Sequence, residues 1–194
     1  MHKAAPAQAL CCRESGSTLR FFIPLALLCS RAVSFTGTEK LLSRPLGIYE
    51  QLCREQDFVF SRSGQQIRVQ GNLMGGTFQI PGNVSSQFIT GLLLALPLTG
   101  QESVIRITTE LESRSYLDLT LQAMHIFGVE ARWQDRQTLV IPGNQHYQPA
   151  DVTVEQLLAG SRPVCPVLLT VRHASEGGCR DMVEAERMAL AMKL

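Results

Sequence analysis

Apolar residues run through this chain in two patterns that take turns. Residues 87–96 (QFITGLLLAL) are apolar on nearly every side, which is the pattern of a helix sunk in a core. Leu117, Leu121 and Met124 fall at i, i+4 and i+7, the single inner stripe of a half-exposed helix that Gly128 then ends. Between the helices lie short β-prone runs. Residues 32–35 and 104–107 read as strands, as do 58–60 and 67–69 around Ser63-Gly64, and 131–133 and 139–141 around Asp135-Arg136. Residues 76–80 are a further strand, joining the two halves.

The order of these features repeats. Ser17 corresponds to Ser85, Arg44 to Arg114 and Gly71 to Gly143, at a nearly constant offset of about 70 residues, so the chain contains a duplicated unit. Each unit opens with a hydroxyl cluster, Ser15-Gly16-Ser17-Thr18 or Ser85-Ser86, suited to capping a helix. A strand follows, then a second helix expected to begin at Ser43 or Ser113, then a hairpin. With a strand supplied from before it, the unit reads βαβαββ, and the fold class is α/β. The expected organisation is a leader remnant over 1–13, a domain over 14–155 with units at about 14–72 and 83–143, and a divergent tail over 156–194. Val152 and Val154 look like the opening of a third unit, after which the pattern breaks down until 181–193 becomes helical again.

Composition narrows the classes. An apolar fraction of 45% and a charged fraction of 18% suit a folded domain rather than a disordered chain. A formal charge of +1 gives no footing for nucleic-acid or membrane-surface binding. Residues 21–29 (FFIPLALLC) imitate a secretory signal core but are too short to span a bilayer, and Pro24 interrupts them; a buried helix is expected. The cysteines, at 11, 12, 29, 53, 165 and 179, form no Cys-x-x-Cys pair and match no zinc spacing. They read as free thiols in a reducing, cytoplasmic setting, with no metal or cofactor expected.

The candidate chemistry is anion binding. Free N–H groups, the helix dipole and small side chains converge at Gly16-Ser17-Thr18 and again at Ser85-Ser86-Gln87. Each is followed by a Ser-Arg step, Ser43-Arg44 and Ser113-Arg114, whose arginine forks suit phosphate or carboxylate. Asp118, Glu110 and Glu112 read as ordinary helix-start carboxylates. His125 and His146 lack partners at metal or triad spacing, Trp133 reads as core, and Cys11 and Cys12 as inert.

Four blocks, CRESGSTLRFFIPLAL, SRPLGIYEQL, IPGNVSSQFITGLLLALPL and ESRSYLDLTLQAMHIFGVE, resemble the 3-phosphoshikimate 1-carboxyvinyltransferase (EPSP synthase) family over about residues 9–155. The resemblance implies βαβαββ units packed three to a domain, about two of them in this chain, and two domains closing over the substrates. It implies transfer of the enolpyruvyl group of phosphoenolpyruvate to the 5-hydroxyl of shikimate 3-phosphate, through a tetrahedral intermediate that loses phosphate. It implies Gly16, Arg44 and Gln87 at phosphoenolpyruvate, and Ser85, Ser86, Gln87, Ser113 and Tyr116 at shikimate 3-phosphate, with Arg20 in a supporting role.

The departures from the family pattern are specific. Its N-terminal lysine, serine and arginine have no counterpart, and Ser115 replaces a proline. The carboxylate and lysine that move protons belong to the other domain, so no catalytic residue is expected here and the chain alone is expected to be inactive. The expected continuation after Glu155 is missing, while 178–184 again resembles a later family stretch, as if about 22 residues between were read out of frame. Three readings stand beside the first: a relative acting on UDP-N-acetylglucosamine, a non-catalytic fragment that binds a phosphorylated ligand, and a site completed by a separate polypeptide carrying the missing domain.

Overall fold

In the computed structural model, which describes residues 8–111 and 114–150, the duplicated sequence becomes a duplicated sheet. Strand β1 (Gln8–Cys11) leads into helix α1 (Gly16–Leu27), β2 (Val33–Thr36), a single-turn helix α2 (Glu39–Leu42), α3 (Gly47–Glu55) and the hairpin β3 (Val59–Arg62) and β4 (Gln66–Gln70). The second unit repeats this with β5 (Thr77–Ile80), α4 (Ser86–Ala95), β6 (Ser103–Ile107), α5 (Arg114–Ile126), β7 (Arg132–Trp133) and β8 (Thr138–Ile141). The strand orders match: β1-β2-β4-β3 and β5-β6-β8-β7.

In both sheets the first pair is parallel and the other two antiparallel. A parallel pair needs a crossover, and α1 and α4 supply it. Equivalent positions pair alike, Leu10 with Phe35 and Phe78 with Ile105. Alternation turns one sheet face inward: Ile67 and Val69 of β4 and Phe78 and Ile80 of β5 are buried while their neighbours face water.

The structure moves three boundaries. Strand β1 lies inside the stretch assigned to a leader over 1–13, and its pairing with β2 starts the first unit at Gln8. Residues 77–80 do not merely join the units; they form β5, the counterpart of β1, so the second unit starts there rather than at 83. The helix expected from Ser43 begins at Gly47, because Ser43 closes α2 and Pro45 disfavours helical backbone at Arg44. The tail at 156–194 and the third-unit strand around Val152 lie outside the described residues.

Helices α1 and α4 form the most extensive helix–helix contact. They run the same way: Arg20 and Gln87 meet near their N-terminal ends, while Leu25 and Leu28 share a cavity with Leu98 and Thr99 beyond the C-terminal ends. Pro24 sits inside α1. It has no N–H, so the Arg20 carbonyl one turn earlier loses its intrahelical donor. Tyr49, fully buried on α3, supplies a replacement: its hydroxyl donates to the Arg20 carbonyl at 2.8 Å and lies 3.1 Å from the Phe88 carbonyl of α4. The approach needs Gly91, where a Cβ would run into the Tyr49 hydroxyl and sit 2.6 Å from the Arg20 carbonyl. The Tyr49 and Phe88 rings then meet edge-on, 5.1 Å apart.

Removing the hydroxyl in Tyr49→Phe should therefore cost about 1–3 kcal/mol, the penalty for an unsatisfied buried acceptor. In a Pro24→Ala background the new N–H can serve the Arg20 carbonyl, so the same change should cost less. Urea unfolding of the four chains measures both steps; an equal cost of Tyr49→Phe in the two backgrounds would refute the account.

Candidate anion-binding site

The two helix starts that look equivalent in sequence are finished differently. At α1 the Ser15 side chain accepts from the Thr18 N–H at 3.2 Å and shares a 2.8 Å hydrogen bond with the Thr18 hydroxyl. That start is capped by its own chain. At α4 the N-cap is Ser85, which is exposed and makes no capping bond with its side chain. Its amide end is thus left to solvent or a ligand.

Two guanidinium groups meet beside these helix starts. Arg20 projects from α1 and donates from Nη1 to Gln87 Oε1 at 2.7 Å. Its charge lies 5.0 Å over the Phe88 ring, and its Nε is buried with no hydrogen-bond partner among the described residues. Arg44 arrives from the loop between α2 and α3. A Cβ on Gly16 would overlap Arg44 Nη1 and lie 3.5 Å from Arg20 Nη1, so the bare Gly16 backbone is the seat of both groups. Burial first, and then the neighbouring Arg44 charge, lower the Arg20 pKa. Among the described residues neither guanidinium pairs with a carboxylate.

Of the residues singled out from sequence, Gly16, Arg44 and Gln87 come together, with Ser85 and Ser86 at the same helix end as Gln87. Tyr116 stands in the first turn of α5 with 59% of its surface exposed, and its hydroxyl makes no hydrogen bond among the described residues. Ser113 lies outside the described residues. Arg20, given only a supporting role from sequence, links α1 to Gln87 of α4 through its hydrogen bond. The proline one turn after it was a visible signal that its carbonyl needs an outside donor.

Arg114 does not mirror Arg44. Its guanidinium stacks 4.0 Å over Trp133, its Nη1 donates to the Arg136 carbonyl at 3.0 Å, and Asp118 lies 3.9 Å away. Trp133, expected in the core, is a half-buried plate whose N–H donates to Asp118 at 2.7 Å. The cation–π stack holds Arg114 on its own hairpin. His125 pairs with Glu130 at 2.6 Å on the exposed surface. Among the described residues no group of three metal-binding side chains gathers, and no helix is long and apolar enough to cross a membrane.

The family model for EPSP synthase (3-phosphoshikimate 1-carboxyvinyltransferase) matches residues 2–156. The chain belongs to the EPSP synthase family. Curated relatives named 3-phosphoshikimate 1-carboxyvinyltransferase are similar to it: that of Clostridium perfringens is 44% identical over 146 residues, 74% of this chain and 34% of the relative. That of Clostridioides difficile is 43% identical over 152 residues, 77% of this chain and 35% of the relative. The chain thus spans about a third of the length of the curated EPSP synthases it matches. The EPSP synthase of Acinetobacter baumannii shares the fold, with a TM-score of 0.59 at 20% identity, over 75% of this chain and 33% of that one.

The Gly16 seat and the buried thiols each have measurable consequences. Gly16→Ala should push the flexible Arg44 side chain off its seat without lowering the melting temperature, since alanine favours a helix; inorganic phosphate binding should weaken. Unchanged phosphate affinity would contradict the seat. Burial raises the Cys12 pKa to about 12 and that of Cys53 to about 11. Alkylation mapped by mass spectrometry near neutral pH should therefore modify exposed Cys11 and spare both. The same shifts make stability fall as pH rises above 9.0, where unfolded thiols ionise and the buried ones stay protonated.

Proposed function

We propose that this chain forms an anion-binding part of a 3-phosphoshikimate 1-carboxyvinyltransferase, the enzyme that moves the enolpyruvyl group of phosphoenolpyruvate to the 5-hydroxyl of shikimate 3-phosphate. The observation that carries the reading is the pair of guanidinium groups at Gly16, with the Arg20 Nε buried and without a partner among the described residues. Two adjacent cations in a partly desolvated site repel one another, and a bound anion reverses the sign of that interaction. The family match and the named relatives support the choice of anions. They give no support to the alternative acceptor, UDP-N-acetylglucosamine.

In this reading Arg44 and Gln87 engage phosphoenolpyruvate, and Gly16, having no Cβ, leaves room for the Arg44 guanidinium against its backbone beside the anion. Arg20 keeps Gln87 in place through their hydrogen bond and adds positive potential. Ser85 and Ser86 present hydroxyls and the uncapped α4 terminus to the 3-phosphate of shikimate 3-phosphate, joined by Ser113 and Tyr116. These groups bind and orient two anions, which shortens the encounter that carbon–oxygen bond formation requires. The reducing cytoplasm is the compartment that suits the free thiols at Cys11, Cys12, Cys29 and Cys53.

The test compares two ligands that differ by one phosphate. In titration calorimetry, shikimate 3-phosphate should bind more tightly than shikimate. Ser85→Ala should weaken the phosphorylated ligand about tenfold, the worth of one hydrogen bond to a charged group, and leave shikimate nearly unchanged. An equal loss for both ligands would remove Ser85 from the phosphate.

A further inference from the structure

Arg44 can serve the site only if its loop holds it there, and the described contacts show what holds the loop. The backbone N–H of Arg44 donates to the Leu41 carbonyl at 3.1 Å. Its carbonyl accepts from Arg62 Nη2 at 3.0 Å, reaching across from the end of β3. The same Nη2 lies 3.3 Å from Glu50 Oε1 in the first turn of α3. Pro45 contributes no N–H, and Leu46 caps α3 with no side-chain bond, so Arg62 is the side chain that ties this loop to the hairpin.

The second unit solves the same problem the other way round. There the equivalent arginine, Arg114 at the start of α5, itself donates to the hairpin carbonyl of Arg136 at 3.0 Å, and its guanidinium is consumed by the tie. In the first unit the tie comes from the hairpin, and the loop arginine keeps its guanidinium for Gly16.

We propose that Arg62 is a positioning residue for Arg44: by holding the Arg44 carbonyl it fixes the backbone from which the guanidinium reaches the anion site, and it touches no ligand itself. With both backbone polar groups of Arg44 engaged, only side-chain torsions separate it from its seat. An exposed ion pair such as Arg62–Glu50 contributes little stability by itself, so loss of Arg62 should register at the site rather than in the fold. The use of Arg44 for an anion rests on the reading under Proposed function; its placement by Arg62 does not.

The first arm of the test needs no ligand. In the labelled 194-residue chain, nuclear Overhauser contacts between the Arg44 side chain and the Gly16 α protons should be lost in Arg62→Ala and kept in Arg62→Lys, whose ammonium can still donate to the Arg44 carbonyl. The thermal midpoint should hardly move in either. Contacts that persist in Arg62→Ala overturn the proposal. The second arm is calorimetry with phosphoenolpyruvate. Arg62→Ala should weaken binding about threefold to tenfold, Arg62→Lys should restore it, and in an Arg44→Ala background Arg62→Ala should add no further loss. Additive losses would mean that Arg62 acts on its own and would sink the proposal. If Arg44→Ala leaves binding unchanged, the site reading falls while the ligand-free arm still decides the role of Arg62.

Discussion

The site depends on how closely α1 and α4 approach, and one buried hydroxyl closes that approach. Pro24 leaves the Arg20 carbonyl without its helical partner, and a bare carbonyl in a core is costly. Tyr49 satisfies it from outside the helix, and in doing so brings α3 against both central helices. Gly91 is the matching concession on α4. Because the repaired carbonyl belongs to Arg20, the clamp fixes the backbone of the residue whose guanidinium then reaches Gln87. Packing of the core and placement of the charge are therefore one arrangement: a shift of α1 along α4 would break the Tyr49 contact and the Arg20–Gln87 bond together.

Duplication accounts for the scaffold, and departures from it account for the site. The two sheets share strand order, direction and register. On this common frame, one helix start is capped by Ser15 and the other is left open at Ser85. Arg44, in its loop, is held by its hairpin and projects, while Arg114, at the start of α5, holds its hairpin and is spent. A symmetric pair of half-sites would present two equal cationic forks. Here the positive charge gathers at Gly16, and the open amide end lies at α4.

Much of the fold was legible from the sequence because it rests on local periodicity. The all-apolar run at 87–96 is α4, whose residues from Phe88 to Ala95 are all buried. Of the expected stripe Leu117, Leu121 and Met124, the first and last are buried on the inner face of α5, while Leu121 packs half-buried against the core. Both hairpins fall about their expected turns. Boundaries went astray in two ways, one through a distant partner and one through a neighbouring residue. Gln8–Cys11 has no striking pattern of its own and becomes a strand by pairing with β2. Ser43 looked like a helix start because a hydroxyl before a helical pattern usually is one, yet the local constraint from Pro45 put the start at Gly47.

For the site, residue types and their motif context were enough to nominate Gly16, Arg44, Ser85, Ser86 and Gln87, since the chemistry of anion binding restricts the choice to a few side chains at helix ends. What each nominee does with its side chain was decided by tertiary structure. Arg44 and Arg114 occupy equivalent sequence positions, and no local rule separates them; they part because Trp133 offers one of them a stacking surface and Arg62 offers the other a backbone anchor. Arg20 and Gln87 stand far apart in sequence, and their bond exists only because α1 and α4 pack together. Sequence alone thus determined the repeated unit, the buried helices and the residue types gathered at the helix ends. The folded chain decided which arginine sits at Gly16, because long side chains have many rotamers of similar energy and only neighbours brought from elsewhere in the chain select among them.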